Sequence, residues 1–191
     1  PSGLFNVITG NAVEIGGALT KSKVVKKISF TGSTAIGKLL MEQSASTVKK
    51  MSLELGGNAP FIIFDDADLD AAVDGVMIAK FRNAGQVCVS PTRFLVQDTI
   101  KEKFTQAVIN ETNKIKVGNG LDDNVNMGPL IAERRVEVMN DFVNDAVENG
   151  ANIEIGGNRL NLAGSFFSPT ILTDVSDNAK IMNEEPFGPL L

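Results

Sequence analysis

Histidine is missing from the 191 residues. Neither a Ser-His-Asp nor a Cys-His arrangement can therefore operate within this chain alone. Cysteine occurs once, at Cys88, which excludes an intrachain disulfide and fits a reducing, cytoplasmic setting. No apolar run approaches the roughly 20 residues of a membrane helix, and no signal-peptide pattern opens the chain. Lys and Arg form no stripe and the net charge is −5, so neither nucleic acid nor a membrane is expected as a partner. Pro1 follows no Met and Leu191 closes an apolar run; both ends read as cut from a longer protein.

What is present suits a globular fold. Hydrophobic residues make up 43% and charged residues 21%, with enough Val, Ile, Leu and Phe for a core. The length suits one domain, or one domain plus part of another. The patterning predicts a strand over 5–9 and a helix over 13–19. A strand over 24–30 stops at Thr31-Gly32, and a helix then runs from Ser33 to about residue 46, with Ile36, Leu39, Leu40 and Met41 as its apolar stripe. Strands over 51–55 and 60–64 flank a turn at Gly56-Gly57. Asp68 is a natural N-cap for a helix over 69–81 whose Leu69, Ala72, Val73, Val76 and Met77 face inward. Gly85 breaks that helix before Cys88. A strand over 93–96 follows, and Thr99 with Glu102 forms a capping-box pattern opening a helix to about 115. A further helix over 131–149 ends at Gly150, and strands are expected at 153–155 and 170–172. Alternating strands and helices predict an α/β fold with largely parallel sheets. The expected seam lies at Gly56-Gly57.

Three places can carry chemistry. Gly32-Ser33-Thr34-Ala35-Ile36-Gly37 sits where a strand turns into a helix. Such a turn lets backbone approach a phosphate, and the helix start offers free N–H groups and the positive end of its dipole. It fits a simple N-cap equally well, because Gly-x-x-x-x-Gly is a weak signal and is not the G-x-G-x-x-G fingerprint. Cys88 lies in the polar, glycine-broken run Gly85-Gln86-Val87-Cys88-Val89-Ser90-Pro91. A thiolate there is a strong nucleophile if it can be reached, although a lone cysteine is often a buried small hydrophobe. Glu54 alternates with Leu53 and Leu55 and so faces the other way from them. On a solvated face it is unremarkable; on a cleft wall it could serve as a general base. Asp65, Asp66, Asp68 and Asp70 lack calcium-loop spacing and read as a cap and a solvated helix start, not a metal site. Glu184-Glu185-Pro186-Phe187-Gly188-Pro189 reads as a loop.

Taken together, Phe30-Thr31-Gly32-Ser33-Thr34-Ala35-Ile36-Gly37, Leu53-Glu54-Leu55-Gly56-Gly57-Asn58, Gly85-Gln86-Val87-Cys88 and Glu184-Glu185-Pro186-Phe187-Gly188-Pro189 resemble the aldehyde dehydrogenase superfamily in order and spacing. The resemblance runs from Pro1 to Leu191. It implies the end of a Rossmann-type NAD(P)-binding domain over 1–57 and an incomplete α/β catalytic domain over 58–191. It implies Cys88 as nucleophile and Glu54 as general base, with NAD or NADP as cofactor. Gly32 and Ser33 would meet the pyrophosphate, Gly37 would serve helix packing, and Leu55 and Gly56 would line the nicotinamide site. Glu185 would hold the nicotinamide ribose, with Phe187 against the same moiety. The full-length form would be a homodimer or homotetramer. An asparagine that helps stabilise the oxyanion in this family has no counterpart here.

The segment Lys80-Phe81-Arg82-Asn83-Ala84-Gly85-Gln86-Val87-Cys88 is similar to succinate-semialdehyde and ketoglutarate-semialdehyde dehydrogenases. The resemblance implies that Arg82 binds the far carboxylate of the substrate, for which a guanidinium fork is suited. Ser90 stands where some of those enzymes carry a second, redox-switching cysteine. The competing expectations are a general aliphatic aldehyde dehydrogenase with Arg82 incidental, a thiol esterase using Cys88 and Glu54 without cofactor, and a piece without activity of its own.

Overall fold

The computed structural model describes residues 1–191. The chain divides into two compact units, Pro1–Gly56 and Gly57–Leu191. No helix is long and apolar enough to cross a membrane.

In the first unit, α1 (Ala12–Lys21) is capped by the Asn11 side chain, which accepts from the Val13 and Glu14 N–H groups. β1 (Lys27–Gly32), α2 (Thr34–Ser44) and β2 (Lys50–Leu55) follow. The two strands are parallel and in register from Lys27↔Lys50 to Gly32↔Leu55. A parallel pair needs a crossover, and α2 supplies it. One 3₁₀ turn (Ala45–Thr47) and Val48, in the left-handed region, bring the chain into β2.

Three expectations fail here for local reasons. The strand expected over 24–30 starts only at Lys27, because the Val24 and Val25 N–H groups turn back onto the Ser22 hydroxyl. Residues 5–9 form no strand, and Phe5, Val7 and Ile8 are exposed; the sheet of this unit consists of β1 and β2 alone. The α2 stripe is not buried either. Ile36, Leu39 and Met41 are exposed, and the only buried positions on α2 are Gly37 and Ser44.

The second unit starts with β3 (Ala59–Ile63), α3 (Leu69–Phe81) and β4 (Pro91–Val96), another parallel pair with its crossover helix. Asp68 caps α3 by accepting from the Ala71 N–H at 3.1 Å. Val73 and Val76 are buried, and Met77 and Leu69 pack beside them. α4 (Asp98–Thr112) has no side-chain cap. The expected capping box is absent because the helix starts one residue earlier, with Gln97 at the N-cap and Thr99 inside the first turn; Thr99 donates to Asp65 Oδ2 at 3.2 Å, beside Gln97, which donates to the same oxygen at 3.0 Å. Asp65 thus ties the end of β3 to the start of α4.

α5 (Glu133–Glu148) ends at Gly150, whose φ of +96° suits a residue without Cβ. β5 (Asn152–Ile155) and β6 (Ile171–Thr173) follow, then the short α6 (Lys180–Asn183). β5 and β6 are antiparallel, a departure from the largely parallel expectation. Gly156 and Gly157 (φ +78° and +83°) turn the chain back, so no crossover helix separates these strands. Two apolar clusters fill the unit. One surrounds α5 with Met139, Phe142, Phe167 and Leu190. The other joins α3, α4 and β3 through Val76, Phe104, Val108 and Ile63. Each such buried side chain stabilises by about 1.5–3 kcal/mol.

Candidate active site

The candidate residues form two groups, one in each unit. In the first unit they gather at the carboxyl ends of β1 and β2, where Thr31 pairs with Glu54 and Gly32 with Leu55. Parallel α/β units bind ligands at this end of their strands. Ser33 is the N-cap of α2, its Oγ accepting from the Ile36 N–H at 3.4 Å. The N–H groups of Thr34 and Ala35 have no partner inside the helix and point towards its open end. A Cβ built at Gly37 would lie 2.8 Å from Leu55 Cδ2, so glycine lets α2 lie close on β2. Glu54 is exposed, while its neighbours Leu53 and Leu55 are partly covered.

In the second unit Cys88 is exposed, in a turn closed by Ser90 N–H donating to Val87 O at 3.0 Å. α3 ends at Phe81, and Asn83, Ala84 and Gly85 then take left-handed φ values of +52°, +53° and +70°. Two consecutive non-glycine residues in that region cost roughly 1–2 kcal/mol each. Side-chain bonds hold them there. Asn83 Nδ2 donates to Gln86 O at 3.0 Å, and Gln86 Nε2 returns to Asn83 O at 3.1 Å. Gln86 Oε1 also accepts from the Ile131 N–H at 2.9 Å. The Cys88 loop is therefore clamped on the N-terminal side of the thiol.

Gly85 brings this loop against the one carrying Glu185 and Phe187. A Cβ at Gly85 would run into the Gly188 carbonyl, and one at Gly188 into the Met139 sulfur. Arg135, from α5, donates to the Pro186 carbonyl and, at 3.2 Å, to that of Phe187. Those bonds hold Phe187 at φ +46° with its ring partly exposed. Glu185 is half-buried. Burial pushes its carboxyl up from the ordinary range, opposed by the dipole of the Gly57 N–H and by the charges of Arg135 and Lys80.

Arg82 is exposed, enters no salt bridge and borders a hollow of about 340 Å³ with Met77, Ile78, Phe81 and Ile115. A cavity of about 750 Å³ runs along β4, α4 and β6 and touches none of the candidate residues. Lys80 and Arg135 are the site residues that sequence reasoning missed. Lys80 was detectable, because residues 69, 72, 73, 76, 77 and 80 share one helical face. Arg135 carries no such signal.

A sequence model of the aldehyde dehydrogenase family matches residues 1–191, and the chain belongs to that family. It is 55% identical over 190 residues to the mitochondrial succinate-semialdehyde dehydrogenase of Oryza sativa subsp. japonica, covering 100% of this chain and 36% of that protein. It is 53% identical to the 3-sulfolactaldehyde dehydrogenase of Pseudomonas putida, covering 100% of this chain and 39% of that one. The crystal structure of an E. coli NADP-dependent enzyme superposes with a TM-score of 0.97 at 53% identity, over 100% of this chain and 40% of that chain. The α/β fold is that of the aldehyde dehydrogenases. The chain spans under two-fifths of the curated relatives named here.

Proposed function

We propose that the protein to which this chain belongs oxidises an aldehyde bearing a carboxylate to the corresponding acid, with NAD or NADP, through Cys88 and Glu54. The observation that carries this is the exposed Cys88 thiol on a backbone clamped by Gly85 and Gln86. A nucleophile held in place and open to solvent is built to react.

The residues fit a dinucleotide. Gly32 and Gly56 carry no side chain to exclude it, Ser33 opens a helix with free N–H groups, and Glu185 offers a carboxylate to ribose hydroxyls. Leu55 and Phe187 supply apolar surface for the nicotinamide end, and Gly37 keeps α2 close to that strand. The nicotinamide, when bound, accepts a hydride. In the first step Cys88 Sγ adds to the aldehyde carbon, and the carbonyl electron pair moves to oxygen. The Cys88 backbone N–H, which no backbone carbonyl engages, donates to that oxyanion. Loss of hydride leaves a thioester on Cys88. A water then attacks it, Glu54 takes the water proton, and the C–S bond breaks to return the thiolate. The Arg82 guanidinium, unpaired in the structure, receives the far carboxylate.

The relatives named for succinate semialdehyde and for sulfolactaldehyde support an anionic substrate tail. A reducing compartment such as the cytoplasm suits the free Cys88, and the full-length form is expected to be a dimer or tetramer. The test is rapid mixing of the full-length enzyme with succinic semialdehyde and NAD or NADP. Wild type should give reduced cofactor with both an initial burst and turnover, and Cys88→Ala neither. Glu54→Gln should keep the burst and slow turnover by about 10²–10⁴-fold, the size of a lost general base. Normal turnover by Cys88→Ala would refute the nucleophile, and loss of the burst in Glu54→Gln would refute the division of labour.

A further inference from the structure

Lys80 occupies a position that should be apolar. It continues the inward face of α3 after Val73, Val76 and Met77, and its side chain is completely buried. An ammonium costs much free energy to bury, and burial pushes this amine down to about 7. A methionine would fill the same space without that cost. The ammonium makes one hydrogen bond, from Nζ to the Pro91 carbonyl at 3.2 Å.

The acceptor lies next to the nucleophile. Pro91 opens β4, three residues after Cys88, and is itself buried. β3 could pair its carbonyl only through the residue after its partner Ala59. That residue is Pro60, which has no N–H, and the register slips there. Lys80 supplies the donor that the ladder lacks. The residues beyond Pro91 have ties of their own. Thr92 Oγ1 donates to Asn58 Oδ1 at 3.1 Å, and Arg93 Nη2 donates to the Asn58 carbonyl at 2.8 Å. Between the thiol and Pro91 stand Val89, which is exposed, and Ser90, whose buried hydroxyl has no partner. On the other side of the thiol, Gln86 is held by Asn83 and Ile131. Lys80 is thus the first tie from outside the loop after Cys88, as Gln86 is the last before it.

We propose that Lys80 is a positioning residue for Cys88: its hydrogen bond to the Pro91 carbonyl fixes the C-terminal arm of the loop and so holds the thiol where it adds to the aldehyde. The proposal rests on the reading of Cys88 as the nucleophile. A loop pinned at one end pivots about it, and pinned at both ends it keeps a reacting atom in register. The group that weakens the fold by its burial sharpens the reaction through its tether.

The experiment follows reduced cofactor after rapid mixing of the full-length enzyme, preloaded with NAD or NADP, with succinic semialdehyde. Wild type, Lys80→Met, Lys80→Gln and Cys88→Ala are compared, and the unfolding temperature and cofactor dissociation constant are measured for each. In Lys80→Met the burst rate constant at saturating aldehyde should fall by about tenfold, within the roughly 10²-fold that a 1 Å misplacement costs. Its unfolding temperature and cofactor affinity should not fall. Lys80→Gln, neutral like the methionine variant but with an N–H donor, should recover part of the rate. A burst at the wild-type rate in Lys80→Met would overturn the role of Lys80. So would a slower burst with a matching loss of unfolding temperature or cofactor affinity, equal slowing in Lys80→Gln, or loss of the fold in both variants. A burst from Cys88→Ala would instead overturn the nucleophile, and this proposal with it.

Discussion

The two units share a plan and differ in what they enclose. Each contains a parallel strand pair joined by a helix, β1-α2-β2 in one and β3-α3-β4 in the other. In Pro1–Gly56 no hydrophobic side chain is fully buried; the buried side chains there belong to Thr20, Ser44 and Lys49. In Gly57–Leu191 the core runs from Ile63 to Leu190. One strand pair and its helix cannot close over an apolar face. The second unit succeeds because α4, α5 and β6 add further layers. The first group of candidate residues accordingly depends on one strand pairing, an N-cap and the packing of Gly37 on Leu55. The Cys88 group depends on residues far apart in sequence, at 85, 135, 186 and 188.

Hydrogen exchange on this chain would expose that contrast most strongly. Amides of α3 and α5 should be protected about 10³-fold or more beyond those of α1 and α2, since protection follows local burial. Equal protection would erase the distinction. The next largest effect compares two close-packed glycines. Gly85→Ala forces a Cβ into backbone at positive φ and should destabilise by about 3 kcal/mol or more. Gly37→Ala meets only the end of the Leu55 side chain, which can move, and should cost about 1 kcal/mol. Thermal and urea unfolding would rank the two, and the reverse order would break the argument.

Lys80→Met should stabilise the fold by about 1–4 kcal/mol, as when other buried charges are replaced by apolar groups of similar shape. The sign follows from the amine lying at about 7 in the folded chain against an ordinary 10.5. The penalty is present in full below about 7 and fades as pH rises towards 10.5. Wild-type stability should therefore rise across that window and that of Lys80→Met should not; parallel pH profiles would contradict it. The smallest expected effect is at Arg82. Arg82→Ala should raise KM for succinic semialdehyde by about tenfold or somewhat more in the full-length enzyme, the value of a charged hydrogen bond, and spare a neutral aldehyde. Equal changes for both aldehydes would remove the carboxylate role.

The α/β class and most elements were legible because periodicity and caps are local. The helix after Asp68 spans Leu69–Phe81, as the apolar spacing predicts, and Gly150 closes α5 as expected. Where local signals misled, helix bounds and packing differed from the pattern. α4 starts one residue before Thr99, which bonds Asp65, and the α2 stripe meets no core within its unit. The antiparallel β5-β6 pair followed from two consecutive left-handed glycines whose φ values no hydropathy pattern reveals.

By itself the sequence determined the family, through four motifs in register, and the residue types from which a site could be made: one thiol, Glu54, a glycine-flanked helix start and Arg82. Only the tertiary structure decided which of these are clamped and which are open. Gly85 lies on Gly188, Arg135 holds the Phe187 loop, and a lysine on an apolar helical face is buried against the Pro91 carbonyl. The reason is physical. A motif records the identity of neighbours along the chain, whereas strain, burial and charge pairing arise between residues that only folding brings within a few ångströms.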